Sequence, residues 1–102
     1  MFKTISIHDI HQMLAKKNVQ IVDIRDQGSF DHGRIPGAQL VNHQNLQEFI
    51  EAADFDSPTL VYCHHGISSQ PAAQLLEEKG FENVYSLDGG FDAWKTQYEI
   101  ES

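Results

Sequence analysis

A chain of 102 residues, 40% of them apolar, is long enough for one compact domain and too short for two. Lys and Arg number 7 against 15 Asp and Glu, a formal charge of -8, which argues against nucleic acid or an anionic membrane surface as a partner. Any anion held here must be held by local geometry. No apolar run approaches the roughly 18 residues of a membrane span. Met1 to Asp9 lack the basic segment and apolar stretch of a secretory leader, so the expected location is cytoplasmic.

In chain order, a short strand is expected around Thr4-Ile5. Ser6-Ile7-His8-Asp9 has the form of a capping box, and Ile7, Ile10 and Leu14 share a helical face, predicting a first helix that runs to about Lys17. Val19 to Ile24 is a short apolar run ended by Arg25-Asp26, which reads as a strand buried on both faces. Ala38 to Val41 repeats that pattern more weakly. Leu46, Phe49, Ile50 and Ala53 then recur at i, i+3, i+4 and i+7, the mark of an amphipathic helix, before the break at Asp56-Ser57-Pro58.

Thr59 to Tyr62 is the next strand. After the segment Cys63 to Ser68, a helix starting near Ser69 carries Ala72, Ala73, Leu75 and Leu76, admits Pro71 in its first turn and ends at Gly80. Val84 to Leu87 is the last strand, and Gly89-Gly90, read as a tight turn with close packing, leads into a helix with Phe91, Trp94 and Tyr98 on its core side. Strands and helices alternate throughout. The expected fold is therefore α/β: one domain over residues 1–102, with a largely parallel sheet of about five strands and helices on both faces. Ligands of such sheets sit beyond the carboxyl ends of the strands.

Cys63, the one cysteine, has no partner for an internal disulfide. It stands directly after an apolar strand in the loop Cys63-His64-His65-Gly66-Ile67-Ser68, and Ser69 opens the following helix. A strand, loop and helix in this order let several backbone N–H groups and the positive end of the helix dipole converge on whatever is attached to the sulfur. Gly66 lets the backbone turn inward, and Ser68 and Ser69 add hydroxyl donors. An ordinary thiol is only ~3% ionised at pH 7, whereas a two-unit depression would ionise roughly three quarters of it. Such a loop activates a nucleophile without a base, and would equally stabilise a persulfide anion or the oxygens of a sulfur oxyanion. A buried, inert cysteine is the alternative, but a filler residue does not call for a loop of this composition ahead of a helix.

This loop resembles the active-site loop of rhodaneses, and the chain is similar to the GlpE-type single-domain thiosulfate sulfurtransferases. The resemblance extends in order through Val22-Asp23-Ile24-Arg25-Asp26, Gly33-Arg34-Ile35-Pro36-Gly37-Ala38 and Leu87-Asp88-Gly89-Gly90-Phe91-Asp92-Ala93-Trp94, nearly the full length. It implies that Cys63 takes the outer sulfur of thiosulfate, releases sulfite, and passes the persulfide sulfur to cyanide or a thiol, which can belong to a protein acceptor. His64, His65, Gly66, Ile67, Ser68 and Ser69 would bind the donor through amides and hydroxyls, with no cofactor and no metal. Two departures stand out. Many family members place Arg after the cysteine where this chain has His64 and His65, so the loop's charge depends on pH near neutrality. Arg34 stands where His is common, with His32 two residues earlier, and reads as a structural variation.

Other residues read as structure. His8 and His11 share an i, i+3 relation with no third metal ligand nearby. Asp23 and Arg25 read as a pair that orders loops near the site, and Glu77 and Glu78 as a solvated face. Three rival functions remain. A cysteine phosphatase or arsenate reductase of the Cys-x5-Arg type needs a guanidinium where this chain has Ser69. A binding module would leave the thiol unused, and a carrier would hold sulfur for one dedicated partner.

Overall fold

The computed structural model describes residues 1–102. Its elements alternate: β1 (Lys3–Ile5), α1 (Ile10–Leu14), β2 (Gln20–Asp23), α2 (Gln27–His32), β3 (Gln39–Leu40), α3 (Leu46–Ala52), β4 (Thr59–Tyr62), α4 (Ser69–Glu78), β5 (Val84–Leu87) and α5 (Gly90–Trp94). The strands form one sheet in the order β1-β5-β4-β2-β3, and every neighbouring pair is parallel. In register, Asp23 of β2 lies beside Tyr62 of β4, and Val61 of β4 beside Ser86 of β5. Because chain order reverses direction at the centre of the sheet, a crevice opens beyond the carboxyl ends of β2 and β4.

The two-residue period of the strands sorts the core into two layers. Ile21, Leu60, Tyr62 and Leu87 point to one face, where Ile10 and Met13 of α1 and Phe91 and Trp94 of α5 cover them. Val22, Val61 and Val84 point to the other, against Phe49 of α3 and Ala73 and Leu76 of α4. Phe81 closes this second layer, its ring 5.6 Å from that of Phe49 and 4.7 Å from that of Phe55. All four residues of β4 are buried, which explains why the central strand reads as an unbroken apolar run.

The long helix α4 ends as the sequence requires. Gly80 takes φ +115°, the Phe81 amide donates to the Leu76 carbonyl and the Gly80 amide to the Glu77 carbonyl, a Schellman motif with its apolar contact between Phe81 and Leu76. Other helices depart from expectation. α1 is shorter than predicted and starts at Ile10, because the Ser6 hydroxyl donates to the Asp9 carboxylate (3.3 Å) and residues 6–9 form a turn instead of a capping box. Asn18, at φ +63°, turns the chain into β2. α5 stops at Trp94, and Tyr98 reaches the core from the turn beyond it, stacked 4.5 Å from Trp94 with its hydroxyl donating to the Ile7 carbonyl. α2 was not anticipated at all. It buries no residue, so no apolar period announces it, and it is fixed by its cap, the Asp26 carboxylate accepting from the Ser29 amide (3.0 Å) and hydroxyl (2.8 Å).

At the carboxyl ends of β2 and β4 lies a buried polar knot. Asp23, fully buried, accepts from the Arg25 amide and guanidinium and from the Tyr62 hydroxyl at 2.7 Å. That hydroxyl in turn accepts from the Ile35 amide, and Arg25 donates to the Gly33 carbonyl at 2.7 Å. The Asp23–Arg25 pair thus orders the Gly33 to Ile35 segment, the role expected for it. Burial and the neighbouring carboxylate raise the Tyr62 pKa well above its ordinary value, so the phenol stays a donor. Replacing Tyr62 by Phe strands one lone pair of Asp23 and the Ile35 amide, and a loss of about 1–3 kcal/mol is expected in urea unfolding.

Candidate active site

Cys63 follows β4 at the centre of the sheet, and the chain then wraps around its sulfur. The Gly66 and Ser69 amides donate to Sγ at 3.2 and 3.3 Å, and the Ser69 hydroxyl lies 3.4 Å away. This is the inward-facing cradle expected from the order of strand, loop and helix. Cys63 is largely buried, which by itself pushes its thiol up. The Ser69 hydroxyl and the amides of Ser69, Gly66 and His65 outweigh that burial and bring the pKa below the ordinary value.

The loop keeps this shape because another segment lies hard against it. Gly66, at φ +88°, approaches the Gly89 amide and the Leu87 carbonyl so closely that a Cβ would lie 2.7 and 3.0 Å from them. Gly90, at φ +59°, sits under the start of the loop, and a Cβ there would meet the Cys63 carbonyl oxygen at 2.5 Å. That closeness allows the Phe91 amide to donate to the Cys63 carbonyl (2.8 Å) and the Asp92 amide to the His64 carbonyl (3.1 Å). Gly89-Gly90 is the close-packing turn read from the sequence. From the other side, the Gln70 side chain donates to the Gly66 carbonyl at 2.9 Å.

The remaining loop residues face outward. Ile67 is 73% exposed, and Ser68 is exposed with no hydrogen bond to the sulfur, so of the two serines proposed as hydroxyl donors only Ser69 reaches Sγ. His64 and His65 are exposed at the rim, each near a carboxylate: His65 Nδ1 lies 2.7 Å from Asp92 and His64 Nε2 3.8 Å from Asp26. His8 and His11 lie exposed around the start of α1, far along the chain from this loop. Beside the loop an open polar cleft of about 620 Å³ is lined by Arg25, Ser29, His32, His64, Asp92 and Lys95 among others. On the opposite side an apolar crevice of about 460 Å³ runs between Leu46 of α3 and Pro71 and Leu75 of α4. Neither hollow is lined by Cys63, whose sulfur faces its own loop.

One residue at the site escaped the sequence reading. Ser86 of β5 is buried, and its hydroxyl lies 2.8 Å from that of Ser69, directly behind the cradle. A lone serine in a strand carries no local signal. Only strand parity places it on the face opposite Leu87, toward α4.

A sequence model of the rhodanese-like domain matches residues 6–97, and the chain belongs to that family. Its relatives include the thiosulfate sulfurtransferase GlpE of Shewanella oneidensis, 58% identical over 93 residues that make up 91% of this chain and 92% of that one. The enzyme of the same name from Pseudoalteromonas translucida is 47% identical over 97 residues, 95% of this chain and 92% of its own. Among solved structures, the rhodanese-like domain of the Anabaena protein Alr3790 superposes with a TM-score of 0.87 at 26% identity, covering 100% of this chain and 80% of that one. A rhodanese-like domain protein from Staphylococcus aureus superposes with a TM-score of 0.81 at 27% identity, covering 99% and 100%.

Two outcomes follow from this geometry. Reaction of wild-type Cys63 with iodoacetamide, followed by intact mass as pH is varied, should be half-maximal at a lower pH than that of the same thiol in the unfolded chain, because a lowered pKa leaves more thiolate near neutrality. Gly90→Ala should cost about 1–3 kcal/mol in stability and slow that alkylation, since the new methyl group forces the left-handed backbone and the Cys63 carbonyl apart.

Proposed function

We propose that the chain is a thiosulfate sulfurtransferase that carries the transferred sulfur as a persulfide on Cys63 and works by double displacement. The observation that carries this reading is the convergence of the Gly66 and Ser69 amides on Sγ of the one cysteine. The named activity of relatives 58% and 47% identical over most of the chain supports it.

In the first half-reaction the Cys63 thiolate attacks the outer sulfur of thiosulfate. A bond from Sγ to that sulfur forms as its bond to the sulfite sulfur breaks, and sulfite leaves with the electron pair. The negative charge then rests on the terminal sulfur of the persulfide, next to Sγ, on which the Gly66 and Ser69 N–H groups converge. In the second half-reaction cyanide or a thiolate attacks the terminal sulfur, and Cys63 leaves with the pair, regenerating the thiolate. The depressed pKa of Cys63 serves both halves, first by supplying the nucleophile and then by making Sγ a better leaving group.

We assign His64, His65, Ile67 and Ser68 to the walls that meet the donor, with Gly66 and Ser69 holding the sulfur. Backbone dipoles carry most of the anion binding, in keeping with a chain of formal charge -8. With no second cysteine in the chain, the acceptor comes from outside, as cyanide, a small thiol or a thiol-bearing protein. No helix is long and apolar enough to cross a membrane. We place the reaction in the cytoplasm, where a lone reactive thiol stays reduced between turnovers.

Incubation with thiosulfate should add one sulfur, about 32 Da, to the intact protein, and cyanide should then remove it as thiocyanate. A folded Cys63→Ser variant should gain nothing. Wild-type protein that shows neither adduct nor thiocyanate would hand the fold to the binding-module reading.

A further inference from the structure

Behind the sulfur, on the β5 side, two hydroxyls stand in line. Ser69 Oγ lies 3.4 Å from Cys63 Sγ and 2.8 Å from Ser86 Oγ, and both serines are buried at 0% and 1% exposure. Ser86 makes no other side-chain hydrogen bond. We propose that Ser86 is a positioning residue for sulfur transfer: its hydroxyl proton, given to Ser69, turns the Ser69 proton onto Cys63 and holds the sulfur in its thiolate form.

Sulfur and serines share few protons in a closed space. Each hydroxyl has one proton to give and lone pairs to receive. With Cys63 ionised, Ser86 donates to Ser69 and Ser69 donates to the sulfur, so both buried protons are spent and the charge receives one of them. With Cys63 protonated, three protons compete for the same line. If the thiol donates to Ser69, and Ser69 to Ser86, the buried Ser86 proton is left without a partner, since Ser69 is the one group its hydroxyl bonds. If the serines keep their first orientation, the thiol proton is stranded. A buried donor without a partner is costly, so Ser69 favours the ionised sulfur by this count with or without Ser86, and what Ser86 adds is the orientation and the strength of the Ser69 bond. Donation in series also strengthens each bond, because a hydroxyl that accepts becomes a better donor.

The preference acts where the transfer cycle needs it. A thiolate is the form that attacks thiosulfate and the form in which Cys63 leaves the persulfide, and this part of the inference rests on the function proposed above. The placement also keeps Ser86 out of the donor's path, since it lies on β5 under the loop while the amides of Gly66 and Ser69 address the sulfur from the loop and α4. The charged groups around the loop are His64 and His65 on it, Asp26 and His32 of the α2 region, Asp23 at the end of β2 with its partner Arg25, Asp88 after β5, whose backbone lies against Gly66, and Asp92 and Lys95 around α5. All are left intact by a change at position 86.

The test is the pH profile of Cys63 alkylation by iodoacetamide on reduced, sulfur-free protein, read by intact mass. It needs no sulfur donor, so it stands apart from the thiosulfate adduct that tests the proposed function. Ser86→Ala should move the midpoint up by about half a unit, an up to roughly threefold smaller thiolate fraction at pH 7. In turnover the same variant should lose kcat/KM near neutrality and recover it above the new midpoint. Ser86→Thr, which keeps the hydroxyl, should stay near the wild-type midpoint. A Ser86→Ala profile that overlays the wild type, or a Ser86→Thr midpoint displaced as far as that of Ser86→Ala, overturns the assignment. Should either variant fold poorly, wild-type protein answers alone: the Ser86 Cβ chemical shift should titrate with the Cys63 midpoint, and a flat Ser86 shift through that transition overturns it equally.

Discussion

The carboxylate of Asp23 is the interaction on which the Cys63 end of the molecule depends. It is fully buried, and a buried charge survives only if it is paired and its lone pairs are used. Its partners come from separate parts of the chain: Arg25 just after β2, and Tyr62 at the end of β4, which passes the connection to Ile35. Cys63 is the residue after Tyr62. The end of β4 is thereby tied laterally before the chain enters the loop, so the sulfur starts from a fixed point. Arg25 also lies 4.2 Å from the Phe91 ring, which links the knot to the helix whose first turn holds the loop from below.

From that fixed point, the site solves an electrostatic problem with little help from cationic side chains. The chain is acidic overall, and the two histidines nearest the sulfur in sequence each face a carboxylate. What attracts negative charge is geometry: amides from the loop and from the first turn of α4, aimed inward because Gly66 and Gly90 let two backbone segments approach more closely than side chains would permit. Dipoles held this way need no reorganisation when charge arrives, which is the advantage of a preformed site over mobile lysines.

Much of this was legible in residue order. The apolar runs of β2, β4 and β5 and the periodic face of α3 located the sheet and its covers, because burial on both faces leaves an unmistakable pattern. The strand, loop and helix around Cys63 gave the cradle, and the inward amides followed from its geometry. α2 escaped because a helix that buries nothing has no apolar period, and only the Asp26 cap with Ser29 could have revealed it. The start of α1 was misplaced because Ser6 and Asp9 satisfy each other and leave the amides to the backbone turn. Ser86 was out of reach for a different reason. Its meaning lies in a neighbour 17 positions away, and no local pattern encodes a pairing of that range.

The C-terminal segment folds back across the molecule. Glu101 pairs with Arg34 through two backbone hydrogen bonds of 2.9 and 2.8 Å, and Ile100 lines the polar cleft that also holds His64. A polypeptide appended after Ser102 would therefore emerge beside the cleft that His64 lines. At about 3.3–3.6 Å per extended residue, a tether of about ten residues matches the longest extent of the domain, 32 Å. The same fold-back makes this end a poor place for an affinity tag where that cleft is to be left open.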